Sequence, residues 1–350
     1  MRVIVIREMK NYLKRPLFWI ALLLVIFGVF QNLGPYLTIH YVSSEEELLS
    51  NFSEADFPET VHDGDVSEGY VPSGEEWRRE IWEKKMRESL ILDFQMRQTE
   101  AESVIEEMKG MDIVEACSYL EKNYRYYGAI YIYEDTAYHR GTKNEINAYI
   151  DSKLENKSFS FYFSRKFADF AGLFMAFFAT VMLAVLFLQD MKENTYELLH
   201  TKPISAGEYV IAKVGGGFGI CLIALTILNL VFGLACCMFT RSSGFEVKIV
   251  DFITVTCFYI LPNMLMIVCV YGLISLLFKN PLPAVPLLIL YMVYSNMGSR
   301  SEESVFGYYG RPLAIMVRFP GQFFDTTPPP TALVNQSSLR KPTGSCMYTL

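Results

Sequence analysis

Residues 190–213 read DMKENTYELLHTKPISAGEYVIAK. The stretch is short, polar and charged, and it is pinned between two long apolar runs, Ala168–Gln189 and Val214–Phe239. A bilayer core roughly 30 Å thick takes about 20 apolar helical residues. A polar segment this short between two such runs therefore lies at a membrane surface. Further apolar runs cover Pro16–Leu37, Ile249–Phe278 and Leu282–Met297. A soluble domain has no use for so many, so the fold class is an all-α polytopic membrane protein with five visible transmembrane helices.

Which surface carries 190–213 follows from the start of the chain. MRVIVIREMKNYLKR (1–15) holds Arg2, Arg7, Lys10, Lys14 and Arg15 against the single acid Glu8. Val3, Ile6, Met9 and Leu13 recur at helical spacing, which predicts a basic amphipathic helix lying flat in the interface. Basic residues directly before the first span place the N-terminus in the cytoplasm. The run Pro16–Leu37 is too long for a signal-peptide core and lacks a small-residue cleavage site. Counting spans from there puts 38–166 outside, the second span near Phe167–Gln189, and 190–213 inside. The third span is about Val210–Phe239 and the fourth is Ile249–Phe278, where Pro262 and Asn263 predict a kink. Lys279 and Asn280 form a tight inner turn before the fifth span. Residues 299–350 then read as an external polar tail.

The net charge of −7 belongs to one region. Ser43–Lys166 carries 27 acidic and 15 basic residues. Within it, Ser43–Gly74 reads as loop or partial disorder. Ser73 with Glu76 fits a capping box, and Trp77, Ile81, Met86, Leu90, Phe94, Val104, Ile105 and Met108 recur at helical spacing. A break at Gly110 precedes a second helical stretch near 112–127. Tyr119, Tyr124, Tyr126, Tyr127, Tyr131, Tyr133 and Tyr138 either pack a small helical core, sit on the bilayer surface or face a ligand. The insertion is thus mainly helical.

The chemistry this sequence excludes is broad. There is no basic stripe or module for nucleic acid. His40, His62, His139 and His200 are too scattered for a metal site, and no G-x-S-x-G or H-E-x-x-H occurs. No G-x-x-x-x-G-K-[ST] is present, so no direct ATP site or other cofactor is expected, and the chain is read as a non-enzyme. Gly215-Gly216-Gly217-Phe218-Gly219 lies within an apolar run and reads as a close helix-packing surface. Almost no charge lies at mid-depth in the spans, unlike an ion-coupled carrier. Asn229 and Asn263 are the main polar residues there, suited to interhelical hydrogen bonds. Five of the seven cysteines sit in apolar runs, and no C-x-x-C occurs, so neither a disulfide framework nor a zinc site is expected.

Within 190–213, Asp190–His200 can form one short helix with Asp190, Glu193 and Glu197 as an acidic edge. Lys202-Pro203 ends it, Ser205 and Glu208 make a capping box that opens the next helix, and Lys213 can snorkel at the inner boundary of the third span. This loop resembles the signature loop of ABC-2 type transporter permeases. Glu193, Thr195, Glu197, Leu198, Leu199, Pro203, Ile204, Ser205 and Lys213 match it. The basic start, single span, large insertion and return span also resemble members with a large extracellular domain. The resemblance implies the following layout: a cytoplasmic connecting helix at 1–15, a first span at 16–37, an extracellular domain at 38–166, and spans two to five within 167–298. It makes 190–209 a coupling loop, with Asp190, Glu193, Thr195, Glu197, Leu198, Leu199, Pro203 and Ser205 docking on a separate ABC ATPase subunit that supplies ATP. It further implies a dimer with a second permease copy or paralogue in the plasma membrane, contact with its lipids, and export of a hydrophobic or amphipathic molecule. Such permeases normally have six spans. Here 331–350 is polar and holds no sixth apolar run, so this end reads as truncated or frame-shifted and the C-terminus is expected outside. The alternative reading is a membrane receptor or scaffold whose outer domain binds a peptide or envelope component.

Overall fold

The computed structural model describes residues 2–50, 64–188, 205–278, 280–296, 313–316, 318–329 and 331–337. Its elements are α1 (Arg2–Leu13), α2 (Pro16–Leu37), α3 (Glu45–Ser50), β1 (Tyr70–Pro72), α4 (Glu75–Leu92), α5 (Gln98–Met108), α6 (Ile113–Tyr124), α7 (Ala129–Asp135), β2 (Tyr138–Arg140), α8 (Lys143–Leu154), α9 (Phe159–Leu188), α10 (Ala206–Phe239), α11 (Ile249–Val255), a π-helical turn (Thr256–Ile260), α12 (Leu261–Phe278), α13 (Ala284–Asn296) and α14 (Ala332–Ser337). The chain divides into two compact units, 39–156 and the remainder.

The larger unit is a helical membrane bundle. Among the described residues, four helical segments are long and apolar enough to cross a bilayer: Pro16–Leu37, Phe159–Val185, Gly207–Phe239 and Ile249–Phe278. The described part of the fifth expected span is α13, 13 residues and about 20 Å of helix. Proline at 281 and 283, with the Asn280 side chain accepting from the Leu282 amide at 3.0 Å, delays its start.

α9 is the central helix, touching α2, α10, α11, α12 and α13. Ala168, Ala171, Ala176 and Ala179 are buried along it, and small side chains let neighbouring backbones approach without a hydrophobic drive from water. It begins eight residues before the expected Phe167. The run before Phe167 was placed with the polar insertion, yet Ser158, Ser160, Ser164 and Lys166 are buried. Their polar atoms are satisfied: Ser158 and Ser160 Oγ donate to Asp251 at 2.8 and 2.5 Å, and Ser160 Oγ accepts from the Lys248 amide at 2.8 Å.

The fourth span is irregular where Pro262 predicted it. Proline has no N–H for the preceding turn, and the ladder widens one turn earlier into the π turn 256–260, closed by Leu261 N–H donating to Thr256 O.

Unit 39–156 has its own core of Trp82, Met86, Leu90, Ala101, Val104, Ile105, Met108, Ala116, Leu120 and Ala129. Trp82 was not on the expected face, which ran through Trp77 and Ile81. It is fully buried, and its indole N–H donates to Ala129 O at 2.8 Å. Trp77 instead lies 38% exposed against the His139 ring. The expected Ser73 cap is not formed: Gly74 caps α4, and Ser73 Oγ contacts His139 Nδ1 at 3.1 Å. Gly110, at φ +93°, makes the break before α6. Tyr119, Tyr124, Tyr126 and Tyr133 pack on the core, whereas Tyr127 and Tyr131 are exposed. β1 and β2 form a short antiparallel ladder, Val71 opposite His139, that helical periodicity did not reveal.

Candidate functional site

Of the proposed coupling residues, Asp190, Glu193, Thr195, Glu197, Leu198, Leu199 and Pro203 lie outside the described residues. Ser205 is described and caps α10. Its Oγ accepts from the Glu208 amide at 3.3 Å, and the Glu208 carboxylate accepts from the Ser205 amide at 3.2 Å. The Ser205–Glu208 box is therefore present, and α10 starts four residues before the expected Val210.

α1 packs lengthwise on this end of α10. A side chain at Gly215 would meet Val5 at 3.6 Å, and one at Gly219 would meet Met9 Sδ at 2.8 Å. The glycines form the close packing surface expected of them, and α1 is its occupant. The i, i+4 step on one helix matches the i, i+4 step on the other, so the two run in the same direction here. α1 is thus packed along α10. Its buried face also differs from the expected stripe: Tyr12 is buried and Ile6 is 42% exposed. The corner into α2 is fixed by the Trp19 indole donating to Leu13 O at 2.8 Å and by Pro16 at the first helical position. Lys213 is 3% exposed, so it does not snorkel outward as expected. α10 is thus gripped within its first four turns.

At mid-bundle, Thr256 Oγ1 on the π turn donates to Asn229 Oδ1 on α10 at 3.0 Å. This is the interhelical role expected of Asn229. Asn263 donates to Tyr259 O at 2.8 Å within its own helix. Tyr271 Oη donates to Thr180 O on α9 at 2.5 Å.

The opposite rim carries groups that sequence reasoning missed. Asp169 is 4% exposed and paired with Arg318, whose Nη1 also donates to Asn296 Oδ1 at 2.6 Å. Lys166 Nζ donates to Gly321 O at 2.6 Å and Arg165 Nη1 to Thr326 O at 3.0 Å. Phe319, Phe323 and Phe324 are buried. The described part of the expected external tail is thus packed onto the bundle. An acid inside an apolar run and a base in an apolar context (AIMVRFP, 314–320) were the available signal. An intramembrane acid calls for a partner.

Neither the curated proteins nor the solved structures contain a match to the chain. A family model described as "ABC-2 family transporter protein" matches residues 2–302. That range takes in α1, the Ser205–Glu208 cap, the Gly215–Gly219 packing surface and all four long spans. The chain belongs to the ABC-2 family of transporter proteins, as a multi-pass membrane component.

Proposed function

We propose that this chain is the permease subunit of an ABC exporter, working as a homodimer or heterodimer in the plasma membrane with its N-terminus in the cytoplasm. A separate ABC ATPase binds ATP and docks on the 190–209 loop through Asp190, Glu193, Thr195, Glu197, Leu198, Leu199, Pro203 and Ser205. The observation that carries this reading is the construction of α10. It opens on the Ser205–Glu208 box directly after the loop and is clasped by α1 through Val5 and Met9 against Gly215 and Gly219. A helix begun by a capping box and packed within a few turns moves as a body rather than fraying. A push on the loop would therefore reach both α10 and α2, which follows α1 after a two-residue corner. The cargo class is hydrophobic or amphipathic, matching the apolar walls of the spans.

Deleting Glu193–Leu199, or changing Glu197→Ala, is expected to abolish co-purification with the ATPase. Unchanged association would overturn the coupling assignment. The compact core of 39–156 keeps a second reading alive, a receptor whose inserted unit binds a peptide. ATP-dependent transport into vesicles, requiring the ATPase, rules that reading out.

A further inference from the structure

Residues 318–329 contain no helix or strand, yet they are organised. Thr327 N donates to Pro320 O at 3.0 Å and Asp325 N to Gln322 O at 3.1 Å, closing a compact loop. Gly321 sits at φ +95°, and a Cβ there would lie 2.6 Å from Asp325 O. The loop is therefore a preformed hook, since only glycine fits its tight turn.

The hook is tied to α9 by side chains from little more than one helical turn. Arg165 holds Thr326 O, Lys166 holds Gly321 O, and Asp169 pairs with Arg318. Its rings reach other helices. Phe323 stacks on Tyr36 of α2 at 5.1 Å, and Phe319 meets Tyr259 of the π turn at 4.8 Å. Arg318 also holds Asn296 at the end of α13. One irregular loop thus touches α2, α9, α13 and the π turn. A buried ion pair adds little net stability over apolar packing, because desolvation offsets the attraction. What it adds is a defined register that is lost together with either partner.

We infer that 318–329 is a latch sealing this rim, that Asp169 and Arg318 are positioning residues holding it shut, and that it lifts as a body when cargo leaves. The release step rests on the permease reading; the seal does not.

The test uses the full chain in nanodiscs with Phe323→Cys, which is 0% exposed when native. Labelling by a membrane-impermeant maleimide is read at that site by peptide mass. The residue is expected to be protected. Asp169→Asn or Arg318→Gln should raise its labelling rate roughly ten-fold or more, by favouring local opening. The charge swap Asp169→Arg with Arg318→Asp should restore protection, which a purely structural lesion would not allow. If Asp169→Asn does not yield folded protein, Lys166→Met removes a different tie and should show the same rise. Equal rates in all variants, or no rescue by the swap, would overturn the latch while leaving ATPase association untouched. With a co-purifying ATPase bound, ATP should raise labelling of the otherwise native chain. Bound ATPase and ATP with no rise would overturn the release step and leave the permease reading standing.

Discussion

Met9 fills the space that a side chain at Gly219 would need: a Cβ there would lie 2.8 Å from the Met9 sulfur. The neighbour is the flexible end of a methionine, so one methyl group can be accommodated and a larger side chain cannot. Gly219→Ala is expected to be mild. Gly219→Leu should destabilise by about 1–3 kcal/mol, the usual range for overpacking. Adding Met9→Ala to Gly219→Leu should recover much of that loss. Thermal unfolding of the solubilised protein measures it. A Gly219→Leu protein as stable as the parent would show that α1 does not clasp α10.

The hydrogen bond between Thr256 and Asn229 predicts a coupling energy. Thr256→Val and Asn229→Ala each remove one partner, and a double-mutant cycle isolates the pair. The expected coupling is about 0.6 kcal/mol and at most about 2, the range for polar contacts between membrane helices. Zero coupling would mean that the π turn is held by packing alone.

Trp82 predicts the largest single loss in unit 39–156. It is fully buried and bonded to Ala129 O. Trp82→Ala should cost about 3–5 kcal/mol through the cavity it leaves. Trp82→Phe keeps much of the volume and loses the indole hydrogen bond to Ala129 O, a cost of about 0.5–1.5 kcal/mol. Limited proteolysis across 64–156 reports both changes, with Trp82→Ala cleaved faster.

Cys117 predicts slow alkylation. Burial, with the carboxylates of Asp112 and Glu134 adding to it, pushes its thiol up to about 11 from the ordinary 9.0. Two pH units lower the thiolate fraction roughly 100-fold at neutral pH. Its iodoacetamide rate should climb tenfold per pH unit through pH 9 and flatten only near 11. A plateau below pH 9 would contradict this placement.

Glu145 predicts one component of acid sensitivity. Hydrogen bonds from the Thr142 amide, then the Thr142 hydroxyl, hold its carboxyl below the ordinary 4.5. A depressed folded pKa stabilises above the unfolded value and loses that contribution as pH falls through the folded one. The Thr142–Glu145 cap of α8 should therefore be at full strength above about pH 5 and weaken below the carboxylate range. Glu145→Gln should remove this component from the pH dependence of thermal unfolding and leave neutral-pH stability only slightly reduced.

How much was legible follows from which signals are local. Apolar runs of twenty residues announce themselves, so the helical membrane class and the four long spans were readable. So were the Ser205–Glu208 cap and the glycine surface at 215–219, whose signatures span only a few residues. Asp169 and Arg318 were not paired in advance, because 148 positions separate them and hydropathy treats each alone. Trp82 was missed for a related reason. On α4 several rotations of the apolar stripe are equally plausible, and only the position of Ala129, on a distant helix, selects one. The start of α9 was misplaced because serines and cations before Phe167 read as part of the polar insertion until Asp251 and the hook supply their partners.

Tyr36 near the end of α2 and Phe159 at the start of α9 both rest on the same Phe323 ring, each at 5.1 Å between centroids. The chain therefore leaves the bundle at Thr38 and re-enters at Lys157 beside neighbouring helix ends. Everything between is spliced into a junction that would close without it, and domain insertion is tolerated where ends lie close together. Unit 39–156 is in this sense a cassette. Replacing it with a short glycine-rich connection should leave the spans assembled.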